Sequence, residues 1–392
     1  MGEATIVATA RTAIGTARKG SLTQVSAYDR GRWAVEEAHR RAGIPTEDVE
    51  DLILGESLQG GGDIARYSAV ELGLTNIPGV AMNRHCASGL TAVQTGAASI
   101  RAGMDKVVIA GGTESLSTMP MMTKVLPGRA EPQMWMPPSH PQTPDAPAFD
   151  MSITVGWNTA KIADVSREAM DEWAYHSHQR AAAATAEGRF KDEIFPIQIP
   201  DGQGGTKTFE VDEHPRPGTP LEKFATLKPI HPEIEGFSIT AGNSSGINDG
   251  AAAVVLVDGD YAKAHGLAPK ATVKAWASVG VEPTRTGLAP TLAIPKALER
   301  AGLSIDAVDL FEINEAFCSM AVASTRILGI DHEKVNVNGS GCGLGHPIAC
   351  TGARMVVTMV HELGRRGGSI GVVAMCAGGG MGSAAVLEVQ PA

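Results

Sequence analysis

The chain has 392 residues, with 33 basic and 43 acidic side chains, a net charge of -10 and a hydrophobic share of 43%. Hydrophobic content this high and a charged share of only 19% exclude a disordered chain, and a negative net charge without a long Lys/Arg run excludes a general nucleic-acid binder. Glycine is in excess at 46 residues, about 12% of the chain against a usual value near 7%, but it lacks the every-third-residue period of collagen.

The chain enters an apolar run, Ile6-Val7-Ala8, within a few residues of its start, so no signal peptide is expected. Its five cysteines follow no disulfide framework, so the expected setting is a reducing, cytoplasmic one with free thiols. Residues 34–54 (AVEEAHRRAGIPTEDVEDLIL) predict an amphipathic helix stopped at Gly43, a short acidic segment and an apolar strand. Cys86 opens a small-residue helix that ends at Gly103, followed by the strand Val107–Ala110 and Gly111-Gly112. Residues 120–147 then carry eight prolines around Met134, Trp135 and Met136, a composition compatible with neither a regular helix nor a central strand. A helix is expected over about 166–187, then a turn-rich stretch, and the regular pattern returns near Gly250.

The second half restates the first. Residues 293–313 (AIPKALERAGLSIDAVDLFEI) follow the pattern of 34–54, and His346 opens a helix ending at Gly364, ahead of the strand Gly371–Met375 and Cys376. Gly43 precedes Cys86 by 43 residues, and Gly302 precedes His346 by 44. This predicts two copies of one βαβ-rich unit, the alternative being coincidence between two ordinary α/β segments. The expected fold class is α/β, with mainly parallel sheets covered on both faces. The expected units are 1–117 completed by 246–268, an insertion over 118–245, and 269–392. Gly367–Leu387 is uncharged and long enough to cross a bilayer, but its seven glycines predict a buried strand, a turn and another strand instead of a membrane span.

If the repeat is real, Cys86 and His346 hold equivalent places at helix starts, where unpaired N–H groups and partial positive charge favour a thiolate. A Cys–His pair is a known arrangement for nucleophilic catalysis, against the bland reading of Cys86 as a small core residue. Cys376 stands at a strand end before Gly378-Gly379-Gly380, where backbone N–H groups can approach a ligand closely. The glycine loop from Asn338 to Pro347 lacks the Gly-Lys-Ser/Thr ending of a phosphate loop. Asn314-Glu315-Ala316-Phe317 follows the strand Leu310–Ile313, at the end where α/β ligand sites lie.

Four separated motifs, Asn83–Gly89, Asn314–Phe317, Gly345–Pro347 and Cys376–Gly382, together with Thr240–Gly246 and Asn248–Ala251, resemble the thiolase family in order and over essentially the whole length. The resemblance implies two similar βαβαβαββ domains in a layered α/β/α/β/α arrangement, with a loop domain inserted in the first. It implies Cys86 as acyl-accepting nucleophile, His346 as its base and Cys376 as a second, acid/base thiol. Asn314 would hold a water in one oxyanion hole shared with His346, and the N–H groups of Cys86 and Gly378 would form another. Ser245 would lie near the pantetheine and Met151 in the substrate site.

CoA thioesters are the implied partners, with coenzyme A a substrate, no metal or tightly bound cofactor, and a homodimer or homotetramer as the assembly. The expected reaction is cleavage of 3-oxoacyl-CoA to acetyl-CoA and a shortened acyl-CoA, in degradation of fatty or related acyl chains. The alternatives are condensation of two acetyl-CoA, or a catalytically silent thiolase-like subunit. Asp150 stands before Met151 where short-chain biosynthetic thiolases carry a His, which disfavours an acetoacetyl-CoA specialist. Cys318, Cys342 and Cys350 match no family role and are expected to pack, Cys342 being the one whose position near His346 leaves reactivity open. His85, where the family varies, is expected to be structural. No basic cluster marks a phosphate site, with Arg216, Lys223 and Lys228 as candidates.

Overall fold

The computed structural model describes residues 2–392. The first half runs β1 (Ala4–Arg11), α1 (Ala27–Ala42), β2 (Asp51–Gly55), α2 (Ile64–Glu71), β3 (Gly79–Met82), α3 (Ser88–Arg101) and β4 (Val107–Ser115). An insertion follows, with α4 (Arg167–Ala186) as its main helix, before β5 (Asn248–Asp258) completes the half. The second half runs β6 (Ala271–Gly280), α5 (Pro290–Ala301), β7 (Leu310–Ile313), α6 (Cys318–Leu328), α7 (Thr351–Arg365), β8 (Ser369–Ala377) and β9 (Met381–Val389).

The repeated sequence folds twice into one local structure. Ser26 caps α1 by accepting the Asp29 N–H, and α1 and α5 both stop at a left-handed glycine, Gly43 (φ 63°) and Gly302 (φ 70°). A short 3-10 turn follows each, Thr46–Asp48 and Ile305–Ala307, and then comes the strand.

In the strand order β7-β8-β9-β6-β1-β5-β4-β2-β3, the four strands β7-β8-β9-β6 repeat the arrangement of β2-β4-β5-β1, with β3 as an extra edge strand on the first half, and a two-residue strand, Gly15–Thr16, pairs beside β5. The halves join where β1 meets β6 through Thr5–Thr272 and Ile6–Ala271. The sheet is mixed, not mainly parallel as expected. β2 is parallel to β3 and β4, and β7 to β8, but β5 lies antiparallel to both β4 and β1, and β9 to both β8 and β6. The expectation failed because β8 and β9 are joined directly by a glycine turn and β5 returns from the insertion, so neither arrives through the helical crossover that enforces parallel pairing. That hairpin also resolves the uncharged stretch 367–387 into strand, turn and strand. No helix among the described residues is long and apolar enough to cross a membrane.

Three packed clusters define the layers. Val35, Leu52, Ile109 and Val255 form the core under α1, and Ile294, Leu298, Ile313 and Val372 the core under α5 and α6. Between them, Leu90, Val93 and Ile100 of α3 meet Met355, Val356 and Met359 of α7, enclosed by residues of both halves of the sheet, among them Val108, Val254, Val373 and Leu387. Helices with two covered sides can carry small and apolar residues on nearly every face, as α3 does.

In the middle layer α3 and α7 approach each other backbone to backbone. A Cβ on Gly89 would lie 2.5 Å from the Ala349 carbonyl oxygen, and a Cβ on Gly352 would lie 2.4 Å from the Leu90 nitrogen. Both sites sit near the helix starts, so the loops that lead into α3 and α7 are held together.

The insertion is fastened by buried charge. Arg11 donates from Nη1 to Asp212 Oδ1 (2.8 Å) and from Nε to Glu193 Oε1 (2.8 Å), all within the interior. The Pro/Met/Trp segment, with only a minimal hairpin between Thr123–Lys124 and Gln133–Met134, forms a flap that leaves Met121 and Met134 largely exposed.

Replacing Gly352 by Val forces the α3–α7 backbones apart. We expect a loss of roughly 1–3 kcal/mol in urea unfolding, together with impaired turnover, because overpacking of a tight contact costs about that much. Unchanged stability would mean that the two helices do not depend on this approach.

Candidate active site

Cys86 and His346 do not open helices as the sequence predicts. α3 starts at Ser88 and α7 at Thr351, so both residues lie in the loops ahead. His346 precedes Pro347, which disfavours helical backbone at the residue before it, and His346 instead forms a parallel bridge with Ile247. Around Cys86 the chain makes a tight turn. Ser88 Oγ donates to the His85 carbonyl (2.7 Å) and accepts the Arg84 N–H (2.9 Å), holding His85 at φ 46°.

Cys86, His346, Cys376, Gly378, Ser245 and Met151 all line one cavity of about 320 Å³. Asn314 is buried directly behind it, with its Nδ2 3.4 Å from His346 Nε2. Residues from both halves and from the insertion therefore converge, whereas the phosphate candidates Arg216, Lys223 and Lys228 do not line this cavity. The rest of the wall is largely apolar, with Leu58, Leu116, Met136, Phe149, Val155 and Phe317 contributing beside the polar Ser57, His85 and Ser139.

His346 is oriented by two neighbours. Its backbone N–H donates to Asn248 Oδ1 (3.0 Å). Thr351 Oγ1 donates to the Pro347 carbonyl (2.9 Å), so at 2.6 Å from His346 Nδ1 it accepts that ring nitrogen's proton. This assigns the hydrogen to Nδ1 and leaves Nε2, beside Asn314, as the basic nitrogen.

The expected lowering of the Cys86 pKa is reversed. Burial pushes the thiol up to about 11, with the charge of Glu114 adding to it, and donation from the Gly378 and Cys86 N–H groups offsets only part. Burial likewise holds His346 down at about 3, helped by the charge of Arg354. The resting pair is thus neutral thiol and neutral imidazole. Cys376 is also raised, by burial and by the proximity of Cys86, and its sulfur donates to Met320 Sδ at 3.3 Å.

The other cysteines settle as packing residues. Cys318, Cys342 and Cys350 are buried outside the cavity wall, and Cys342 Sγ points at the carbonyls of Gly242 (3.5 Å) and Ser244 (3.6 Å). Glu315 braces the glycine loop, accepting from Trp173 Nε1 (2.9 Å), Ser177 Oγ (2.6 Å) and the Cys342 N–H (3.0 Å). Asp150 caps the π-helical turn Ser152–Trp157 through Ser152 and meets His231 Nε2 at 2.8 Å, so Met151 and not Asp150 faces the cavity. His85 is on the cavity wall, a place the structural expectation did not foresee. Sequence reasoning also missed Thr351 and Glu114, and gave Asn248 no task. The motif containing Asn248 was the one available signal.

Two thiols and an imidazole on one cavity wall, with backbone N–H groups aimed at the first sulfur, are the equipment of acyl transfer. The chain belongs to the thiolase family: residues 4–260 match "Thiolase, N-terminal domain" and residues 267–389 match "Thiolase, C-terminal domain". It is 42% identical to the 3-ketoacyl-CoA thiolase of Bacillus subtilis, over 99% of this chain and 100% of that one. It is 40% identical to the acetyl-CoA acetyltransferase of Pseudomonas aeruginosa, over 99% of each. The crystal structure of human mitochondrial 3-ketoacyl-CoA thiolase superposes with a TM-score of 0.90 at 34% identity, over 99% of each chain.

A thiol raised to about 11 is alkylated only through its small thiolate fraction, which grows with pH. Inactivation of the free enzyme by iodoacetamide is therefore expected still to be accelerating above pH 9. A rate that saturates near pH 7 would show a preformed thiolate–imidazolium pair instead.

Proposed function

We propose that the protein cleaves 3-oxoacyl-CoA with free CoA, yielding acetyl-CoA and a shortened acyl-CoA, on acyl groups longer than acetyl. The observation that carries this reading is the apolar cavity at Cys86. Met136 and Phe149 line both it and an adjoining cavity under the flap, so an acyl chain can run outward from the nucleophile along apolar side chains.

In this reading His346 Nε2 takes the Cys86 proton as the sulfur attacks the ketone carbon. The bond between that carbon and the CoA-bearing fragment breaks, its electron pair becomes an acetyl-CoA enolate, and the Cys376 S–H protonates the enolate carbon. Free CoA then loses its proton to the Cys376 thiolate and attacks the acyl-enzyme. Cys86 leaves and recovers its proton from His346. Two thiols are required because one is covalently occupied while the other moves a proton.

The first oxyanion, on the enolate, is served by His346 Nε2 and by a water that Asn314 would hold. Asn314 Oδ1 is buried and has no protein partner among the described residues. The second, on the acyl carbon, is served by the N–H groups of Cys86 and Gly378, both of which reach the Cys86 sulfur. Ser245 and Met151 line the approach for the pantetheine. Coenzyme A is a substrate here and no tightly bound cofactor is required. Thiolysis is the downhill direction, since condensing two thioesters is uphill. A second reading, condensation of two acetyl-CoA, is supported by the names of the acetyl-CoA acetyltransferase relatives and would use the same residues in reverse.

Association of identical chains is supported by the open edge of β3. The outer side of β7 is bridged by Val335, whereas the outer side of β3 has no partner strand among the described residues, and Val80, Tyr67 and Val70 are exposed beside it. An unpaired edge of this kind is a template for a second copy. Val80→Lys is expected to shift the protein toward monomer in light scattering; an unchanged mass would place the interface elsewhere.

The chemistry is tested by following loss of substrate enolate absorbance when 3-oxoacyl-CoA is mixed with CoA. Cys86→Ala should abolish turnover, and retained activity would remove it as nucleophile. Cys376→Ser should still form the acyl-enzyme but turn over poorly. Asn314→Ala should lower kcat by roughly 100- to 1000-fold, the usual effect of losing one oxyanion donor. Across chain lengths from four to sixteen carbons, kcat/KM should peak above four. A maximum at acetoacetyl-CoA would favour the condensing role.

A further inference from the structure

Glu114, at the end of β4, is a fully buried carboxyl for which the reaction sequence has no use. It joins three segments around the nucleophile. Its Oε1 accepts the Leu58 N–H (3.1 Å) and lies close to Gln59 Nε2, fixing the loop that puts Leu58 on the cavity wall. Its Oε2 accepts the N–H of Ala349 (3.1 Å), three residues beyond His346. Ala349 in turn is the residue whose carbonyl covers Gly89 and Gly112.

No cation answers this carboxyl directly. Arg30, the nearest on α1, spends its guanidinium on the carbonyls of Leu22, Val25 and Glu114 itself. Glu56 on the neighbouring loop and the Cys86 and Cys350 thiols feel the same charge. Asp249, alongside on β5, accepts the N–H groups of Leu116 and Ser117. Glu114 and a Cys86 thiolate would therefore be two like charges in one dry region, a situation that favours ionising only one of them.

We propose that Glu114 is a positioning residue whose charge alternates with that of Cys86: it holds the His346 loop against the nucleophile and is neutral when the thiolate forms. The carboxyl takes its proton from solvent before His346 removes the thiol proton, so the working site does not carry both negative charges. Burial already lifts Glu114 to about 7, which places the exchange within the working range of an enzyme. The proposal rests on Cys86 being the nucleophile, and it is read on the thiol itself without substrate.

The test compares iodoacetamide alkylation of Cys86, located by peptide mass, with thiolysis for the whole enzyme and for Glu114→Gln and Glu114→Asp. In the unmodified enzyme the log rate of alkylation should flatten above about pH 7 as Glu114 ionises, and then resume its rise. In Glu114→Gln the flattening should vanish and alkylation at pH 9 should exceed that of the parent, by about tenfold for each unit of coupling removed. Turnover should nevertheless fall, because the amide cannot accept the Ala349 N–H where Oε2 did. Glu114→Asp should keep the flattening and lose turnover. Faster alkylation with slower turnover is a pairing that simple loosening of the fold does not produce. Overlapping alkylation profiles for parent and Glu114→Gln would overturn the proposal, as would a parent profile of constant slope, which reads the point even if the variant fails to fold. Failure of the nucleophile assignment would show separately, as alkylation mapped to another cysteine.

Discussion

The approach of α3 to α7 at Gly89 and Gly352 is the contact on which the rest of the molecule depends. Two helices that each need to be covered on nearly every side cover one another, and both halves of the sheet close over them. Side chains at those two positions would separate the backbones. The loops ahead of the helices would then separate as well, and with them Cys86 and His346. The symmetry of the strand order is the large-scale expression of this one contact, and the active cavity is its local expression.

Burial also sets the electrical state of the site. Cys86 and Cys376 are held as thiols and His346 as neutral imidazole, because each charged form would have to be sustained in a dry interior. Charge is therefore created only when a substrate is there to use it. In the proposed reaction the groups that receive it are positioned beforehand: the Gly378 and Cys86 N–H donors on one side, and on the other the Nε2 of a His346 held by Thr351 and Asn248, which becomes a donor once it has taken the thiol proton. Oriented dipoles of this kind need no rearrangement during reaction, which is the main source of their catalytic value.

Much of this was legible in the sequence, and the rest was not, for physical reasons. The repeat was readable because local rules, a glycine stop and a hydrophobic period, act within one element. The convergence of Cys86, His346, Cys376 and Gly378 was readable because the repeat paired the first two and the thiolase motifs supplied the other two. The direction of the Cys86 shift was not, since it depends on how deeply the sulfur is buried by residues far away in sequence. Glu114 was unreadable for the same reason: its partners Leu58, Gln59 and Ala349 come from distant segments. The antiparallel placement of β5 depended on where the insertion returns the chain, which no strand signal encodes. Helix starts at Cys86 and His346 were misplaced by a few residues, in the second case by the local effect of Pro347.

The middle layer also governs how the chain can be made. A ribosome delivers α3 while the strands that will cover its second side are still unsynthesised, and α7, β8 and β9 come only after the insertion and half of the second unit. Until then Leu90, Val93 and Ile100 of α3 face outward from an incomplete layer. The first half therefore cannot reach its final state ahead of the second, despite having nearly a full set of strands. The nascent chain carries an adhesive surface through most of its synthesis, the condition under which large α/β proteins draw on chaperones.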